Sequence, residues 1–252
     1  MLRHFYLLML VVAASAPFTA CRPRVLTLDD VIERHVQAMG GRAALEAVHA
    51  VEIDLHIKDP GFEVDGLYRA ARPGKMRIDV RAGGKHVFTE AFDGKEGWQW
   101  KRQGGSEYAS PQATAALRRG VELPGKLFGL HELRQRGHKL ELAGRDRVDA
   151  IDYYVIRLTM TDGYSARLYI DPNSWLITRR RDVRPLHVDV DPTPTTIEQR
   201  STDFRKVGGV MFAFASVEVN LSTGKELEAT RINEIKINPL LDDSLFEFQN
   251  PG

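Results

Sequence analysis

From Val51 onward the chain alternates. Val51, Ile53, Leu55 and Ile57 are apolar, while Glu52, Asp54, His56 and Lys58 between them are polar, so every second side chain of an extended segment meets an apolar surface. The two-residue period returns over residues 62–70, 75–81, 85–92 and 97–101, and later over 139–143, 150–160, 166–171, 176–183, 196–206, 210–221 and 226–236. Between these segments stand Pro73-Gly74, Gly83-Gly84, Asp93-Gly94, Thr161-Asp162-Gly163 and Asp171-Pro172-Asn173, all turn-forming strings. A parallel crossover needs about a dozen residues or more, so connections this short make neighbouring strands antiparallel. About eleven strands in one run twist too strongly to stay flat, and the expected architecture is an incomplete antiparallel β-barrel, a half-barrel.

Two stretches break the period. Thr27 and Asp30 are spaced as a capping box, and Leu28, Val31, Ile32, Val36 and Met39 fall on one helical face until Gly40 and Gly41 stop it. Residues 42–48 give a further helical piece. In mid-chain Ser110 caps and Pro111 occupies a first turn, followed by residues 113–119 and, past Pro124, by Leu127, Phe128, Leu130 and Leu133. The result is a mainly β (α+β) chain with an N-terminal helix and a helical plug. No linker divides residues 27–252, which are read as one domain.

Ahead of that domain, Arg3 and His4 precede an apolar run from Phe5 to Ala16 and small residues ending at Ala20, the order of a secretory signal spanning residues 1–20. The only cysteine, Cys21, follows at once, in the string Phe18-Thr19-Ala20-Cys21. This resembles the lipobox of bacterial lipoproteins, in which the cysteine is acylated and becomes the new N-terminus, with residues 21–26 as a tether. Each buried acyl methylene contributes about 0.8 kcal/mol, enough for a multiply acylated terminus to hold the chain on a membrane. Cleavage without acylation leaves a soluble periplasmic protein instead.

Removal of residues 1–20 takes away Arg3 and no acidic group, leaving Lys and Arg equal in number to Asp and Glu. That balance argues against a nucleic-acid partner, which calls for a basic excess. Nucleophile-elbow, zinc-protease and phosphate-loop signatures are missing from the sequence, so it implies no catalytic residue, metal or cofactor. The best metal candidate, His187, Asp189 and Asp191, reads more simply as a solvated loop among Pro185, Pro192 and Pro194. Asp29-Asp30 suits a helix's opening turn. Arg179, Arg180, Arg181 and Arg184 form the densest basic stretch, a candidate patch for lipid headgroups or a partner's acidic surface.

Four segments are similar, in order and spacing, to the outer-membrane lipoprotein-sorting family, the superfamily of the lipoprotein carrier and its outer-membrane receptor. They are Ile32 to Gly41 with Ala44-Leu45; Leu168-Tyr169-Ile170-Asp171-Pro172 leading to Trp175-Leu176-Ile177; Val207-Gly208-Gly209-Val210-Met211-Phe212; and Ile235-Lys236-Ile237-Asn238-Pro239 with Asp242-Asp243 and Leu245-Phe246. The resemblance implies a half-barrel of about eleven strands around helices, whose apolar concave side receives acyl chains. By the family's sorting preference, Arg22 after the cysteine implies an outer-membrane anchor facing the periplasm. Where the family more often has Pro after the aromatic of the third segment, this chain has Ala213.

The expected function is therefore non-catalytic binding of a lipid, or of the acyl chains of a lipoprotein, in an apolar cavity. The candidate lining residues are Leu55, Ile78, Trp98, Trp100, Val155, Leu168, Ile170 and Phe212 on strands, with Leu127 and Phe128 on the plug. The alternative is an envelope interaction or sensor module whose half-barrel is closed and packed, with an envelope protein as partner.

Overall fold

In the computed structural model, residues 25–249 apart from 187 and 190 are described. The signal segment, Cys21 and His187 of the metal candidate lie outside them.

Thirteen strands form one antiparallel sheet. The first half runs through β1 (Ala50–Asp59), β2 (Phe62–Ala71), β3 (Lys75–Ala82), β4 (Lys85–Phe92), β5 (Gly97–Lys101) and β6 (Gly105–Tyr108). The second runs through β7 (Lys139–Val148), β8 (Ile151–Thr159), β9 (Ser165–Ile170), β10 (Ile177–Arg184), β11 (Thr195–Val207), β12 (Val210–Asn220) and β13 (Glu226–Ile237). Each strand pairs with its sequence neighbour except at one seam. There β1 pairs with β13, Val51 opposite Ile237 and Lys58 opposite Ala229, so the two halves join through first and last strands and the open edges are β6 and β7. Twelve of the thirteen strands coincide with the alternating segments; the expected number of about eleven falls short, and β6, Gly-Ser-Glu-Tyr, carries too little apolar alternation to be seen.

The helices occupy the concave face. Helix α1 (Leu28–Ala38) begins with the expected capping box: Thr27 N–H donates to Asp30 Oδ2 at 2.8 Å and Asp30 N–H to Thr27 Oγ1 at 3.2 Å. It buries Val31, Ile32, His35 and Val36. The short α2 (Arg42–Glu46) adds Leu45, and α3 (Pro111–Glu122), capped by Ser110, adds Ala113, Leu117 and Val121. The segment after Pro124 is not the helix expected. It is a run of turns with one 3₁₀ turn (Leu130–Glu132), since Pro124, Gly125 and Gly129 deny it continuous helical geometry. Arg72 supplies what the missing helix would have, donating to the carbonyls of Val48 at 2.7 Å and Leu127 at 3.1 Å and to both oxygens of Glu132.

Candidate ligand cavity

The concave face is not filled by its helices. Between them and β1, β9–β13 lies a hollow of about 910 Å³, at the upper end of the ~300–1,000 Å³ typical of ligand cavities. Its apolar wall comes from Ile53 and Leu55 on β1, Leu168 on β9, Ile177 on β10, Phe204 on β11, Phe212 and Phe214 on β12 and Ile232 on β13. Met39 at the end of α1, Ala115 and Ala116 on α3, and Leu186 and Val188 in the loop after β10 complete it.

Of the expected lining residues, Leu55, Leu168 and Phe212 border this space. Ile170 is wholly buried in the core beside it, and Ile78 is packed against that core near Gly66. Leu127 and Phe128 are buried in the plug, do not border the large hollow, and line a second void of about 10 Å³, room for a single water at most. Three expectations are corrected. Val155 is opposite Tyr169 on β9, so both project to the face away from Ile156 and Leu168, into a separate convex cluster with Tyr153. Trp98 and Trp100 share the convex face with Ala91. Trp98 Nε1–H donates to the carbonyl of Phe246 at 2.8 Å under the C-terminal segment, and Trp100 stacks on His86 at 4.5 Å. Alternation shows which residues share a face; it does not show which face is concave.

The same period divides the expected arginine patch. Arg179 and Arg181 point to the convex side, where their guanidinium groups donate to Glu198 at 2.8 and 2.5 Å. Arg200 also reaches this fully buried carboxylate, at 2.6 Å, and although burial pushes its pKa up, these hydrogen bonds hold it below the usual range. Arg180, opposite Leu168, and Arg184 face the hollow instead. Arg184 donates to both oxygens of Glu218 at 2.6 Å and lies 3.3 Å from Asp182, which also accepts from the Tyr164 hydroxyl.

Two further groups in the hollow were not anticipated. His35 is buried in α1, its Nδ1–H donating to the carbonyl of Trp175 at 2.8 Å. Burial, and secondarily the charge of His131, lower its pKa to about 4 against the hydrogen bond that favours the charged form. Lys126 is an exposed side chain that borders the hollow. Desolvation of its ammonium first, then the Arg180 charge, depress its pKa, while Glu228 and Glu218 act in the opposite sense. The histidine could be suspected from its place on an apolar helix face; nothing in the sequence marks an inward lysine.

Asp189, one of the metal candidates, accepts from Ser110 Oγ at 2.6 Å and ties the loop after β10 to the start of α3. Among the described residues no group of three His, Cys, Asp or Glu side chains is placed to hold a metal ion, and no helix is long and apolar enough to cross a membrane.

An open antiparallel sheet curved around helices, with a hollow between, is a fold shared with several solved bacterial proteins. The chain aligns with a DUF1329 family protein from Desulfovibrio piger with a TM-score of 0.59 and 13% identity, over 87% of this chain and 97% of the other. A LolA superfamily protein from Nitrosomonas europaea aligns with a TM-score of 0.55 and 14% identity over 88% and 98%. A domain named for outer membrane lipoprotein sorting, from Vibrio parahaemolyticus, gives 0.54 and 11% over 86% and 94%. The fold expected from the four sequence segments is thus the fold found. No protein-family model matches the sequence, and no curated protein is similar to it in sequence.

Proposed function

We propose that this protein is a non-catalytic binder of acyl chains in the bacterial envelope, taking either a lipid or the lipid moiety of a lipoprotein into the concave hollow. The observation that carries the reading is the hollow itself: about 910 Å³ of space with Leu, Ile, Phe and Met side chains in its wall beside polar ones. Exposed apolar wall is stabilised by whatever apolar matter covers it, at about 25 cal/mol per Å², and a cavity of this size persists in a stable fold where a ligand fills it. The similarity to lipoprotein-sorting folds agrees with this reading. In the same proposal Cys21 is acylated and anchors the chain at the outer membrane, facing the periplasm.

The alternative of a closed interaction module required a packed interior and an arginine patch free to meet a partner. The hollow, and the carboxylates that engage Arg179, Arg181 and Arg184, both speak for the carrier. The test is native mass spectrometry with lipid extraction on the domain purified from a bacterial periplasm, with Cys21→Ser removing its own anchor. Co-purifying acyl lipid is the expected result; an apo mass that persists after challenge with lipid vesicles overturns the proposal.

A further inference from the structure

Beside its apolar wall the hollow carries polar groups, among them Asp162, Tyr164, Glu218 and Glu228, and two of its cations have donors without hydrogen-bond acceptors. Arg180 contributes its guanidinium to the wall at 17% exposure, and its Nε–H is fully buried with no hydrogen-bond partner. The nearest carboxylates, Glu218 at 3.8 Å and Asp182 at 3.9 Å, are already engaged at 2.6 and 3.3 Å by Arg184. Lys126 rests its ammonium over the Tyr68 ring at 4.5 Å from the centroid and, among the described residues, makes no hydrogen bond or ion pair. The Tyr68 hydroxyl is likewise buried without a partner. The two cations are near enough for Arg180 to disfavour the charge on Lys126. Glu218 and Glu228 offset part of that repulsion, and an anion that engages the unpartnered Arg180 Nε–H and the Lys126 ammonium would offset more of it.

We propose that Lys126 and Arg180 form an oxyanion subsite for the head of an amphiphile whose chain lies along the apolar wall, so that the preferred cargo carries a carboxylate or a phosphate at the end of an acyl chain. This rests on the reading of the hollow as an acyl-chain site. An ammonium and a guanidinium that border one hollow can both donate to the several acceptor oxygens of either head. Leu168 and Phe212 line the same hollow, where an alkyl chain can extend.

The experiment uses the Cys21→Ser protein, delipidated, and measures the affinity of four probes by titration calorimetry: hexadecanoate, hexadecyl phosphate, the uncharged methyl hexadecanoate, and inorganic phosphate. A charge-assisted hydrogen bond contributes about 1.5–3 kcal/mol, so at least one anionic amphiphile is expected to bind about tenfold or more tightly than the ester. Lys126→Met and Arg180→Gln, whose melting curves verify folding, should each reduce that preference several-fold and leave the ester's affinity unchanged. Equal affinity of ester and anions in the parent protein, or a preference that survives both substitutions, overturns the subsite while the acyl reading stands. Inorganic phosphate binding as tightly as hexadecyl phosphate overturns the amphiphile assignment and leaves a free-phosphate site. Failure of all three sixteen-carbon probes removes the acyl reading and the subsite with it.

Discussion

Single residues explain why the four recognisable segments are spaced as they are, because three of them meet. Gly40 sits at φ +120°, and a Cβ there would lie 2.1 Å from the carbonyl oxygen of Gly209, so the Gly-Gly after α1 and the Gly-Gly before β12 are two sides of one backbone contact. Met211 N–H donates to the Met39 carbonyl at 2.9 Å beside it. Asn238, at φ +53°, accepts from the N–H groups of His49 and Ala50 and donates to the Ala47 carbonyl, fastening the seam where β1 enters. Gly40→Ala is therefore expected to destabilise by more than 1 kcal/mol, about the minimum for a change that the native backbone cannot accommodate, whereas Gly83→Ala, in an open turn, should cost less; urea unfolding of the two compares them. His35 makes the third junction, to Trp175. Its folded pKa of about 4 lies below the unfolded value of 6.5, so only the unfolded chain takes up a proton between them, and stability falls by up to about 3 kcal/mol as pH drops from 6.5 to 4. Glu90 works against it: burial first, then Asp189, raise its pKa to about 7 from 4.5, and its contribution is lost as pH rises through that window. The measurement that isolates the histidine is the difference in melting temperature between parent and His35→Gln from pH 7 to 4, expected to shrink or reverse toward pH 4; a constant difference would contradict the assignment.

At the scale of elements, the sheet was legible and the plug was not. Strand periods and turn strings place β1 to β5 and β8 to β13 within a few residues, because half-buried antiparallel strands write their burial directly into the sequence. Residues 124–133 carry apolar side chains as dense as a helix, yet their order comes from a partner some sixty residues away in sequence: Arg72, whose guanidinium stacks on Phe128 at 4.7 Å and grips Glu132. Such a contact leaves no local period. Neither does the choice of face, and for that reason the sequence points Trp98, Trp100 and Val155 to the hollow and does not single out Ile53, Phe204 or Lys126. Glu132 shows what the plug depends on. Burial alone would raise its pKa, but hydrogen bonds from Arg72 and the Gly129 N–H keep it lowered. Arg72→Met leaves a largely buried carboxylate without its cation and is expected to cost roughly 3–5 kcal/mol. The double variant Arg72→Met/Glu132→Leu should recover part of that loss in denaturant unfolding, since both polar partners are then replaced by apolar groups. Additive losses would mean that the pair does not couple plug to sheet.

The molecule as a whole is an incompletely filled shell. Hairpin connections bring neighbouring strands together cheaply, but the β1–β13 seam joins residues more than 170 apart and closes the two halves around α1, α3 and the plug. Those helices cover only part of a thirteen-strand concave face, and the uncovered remainder is the hollow. Its wall side chains forgo the close contacts that a packed interior provides, so the empty protein is less stable than its strand content would permit. Filling that space from within should then stabilise the fold and exclude cargo together. Ala116, half-buried on α3 and facing the hollow, is the position to enlarge. Ala116→Leu adds three carbons that can extend into open space rather than into packed neighbours, an addition expected to contribute about 1 kcal/mol and hence to raise Tm by roughly 2–4 °C for a domain of this size. The same variant should carry less co-purified lipid and bind hexadecanoate more weakly. Cargo works in the opposite order: saturating ligand stabilises the parent by RT ln(1 + [L]/Kd), so the rise in Tm on adding lipid should be larger in the parent than in Ala116→Leu. If the leucine raises Tm while lipid still shifts both proteins equally, the space at Ala116 is not where the chain lies, and the binding path must run along Leu55 and Ile53 on the opposite wall.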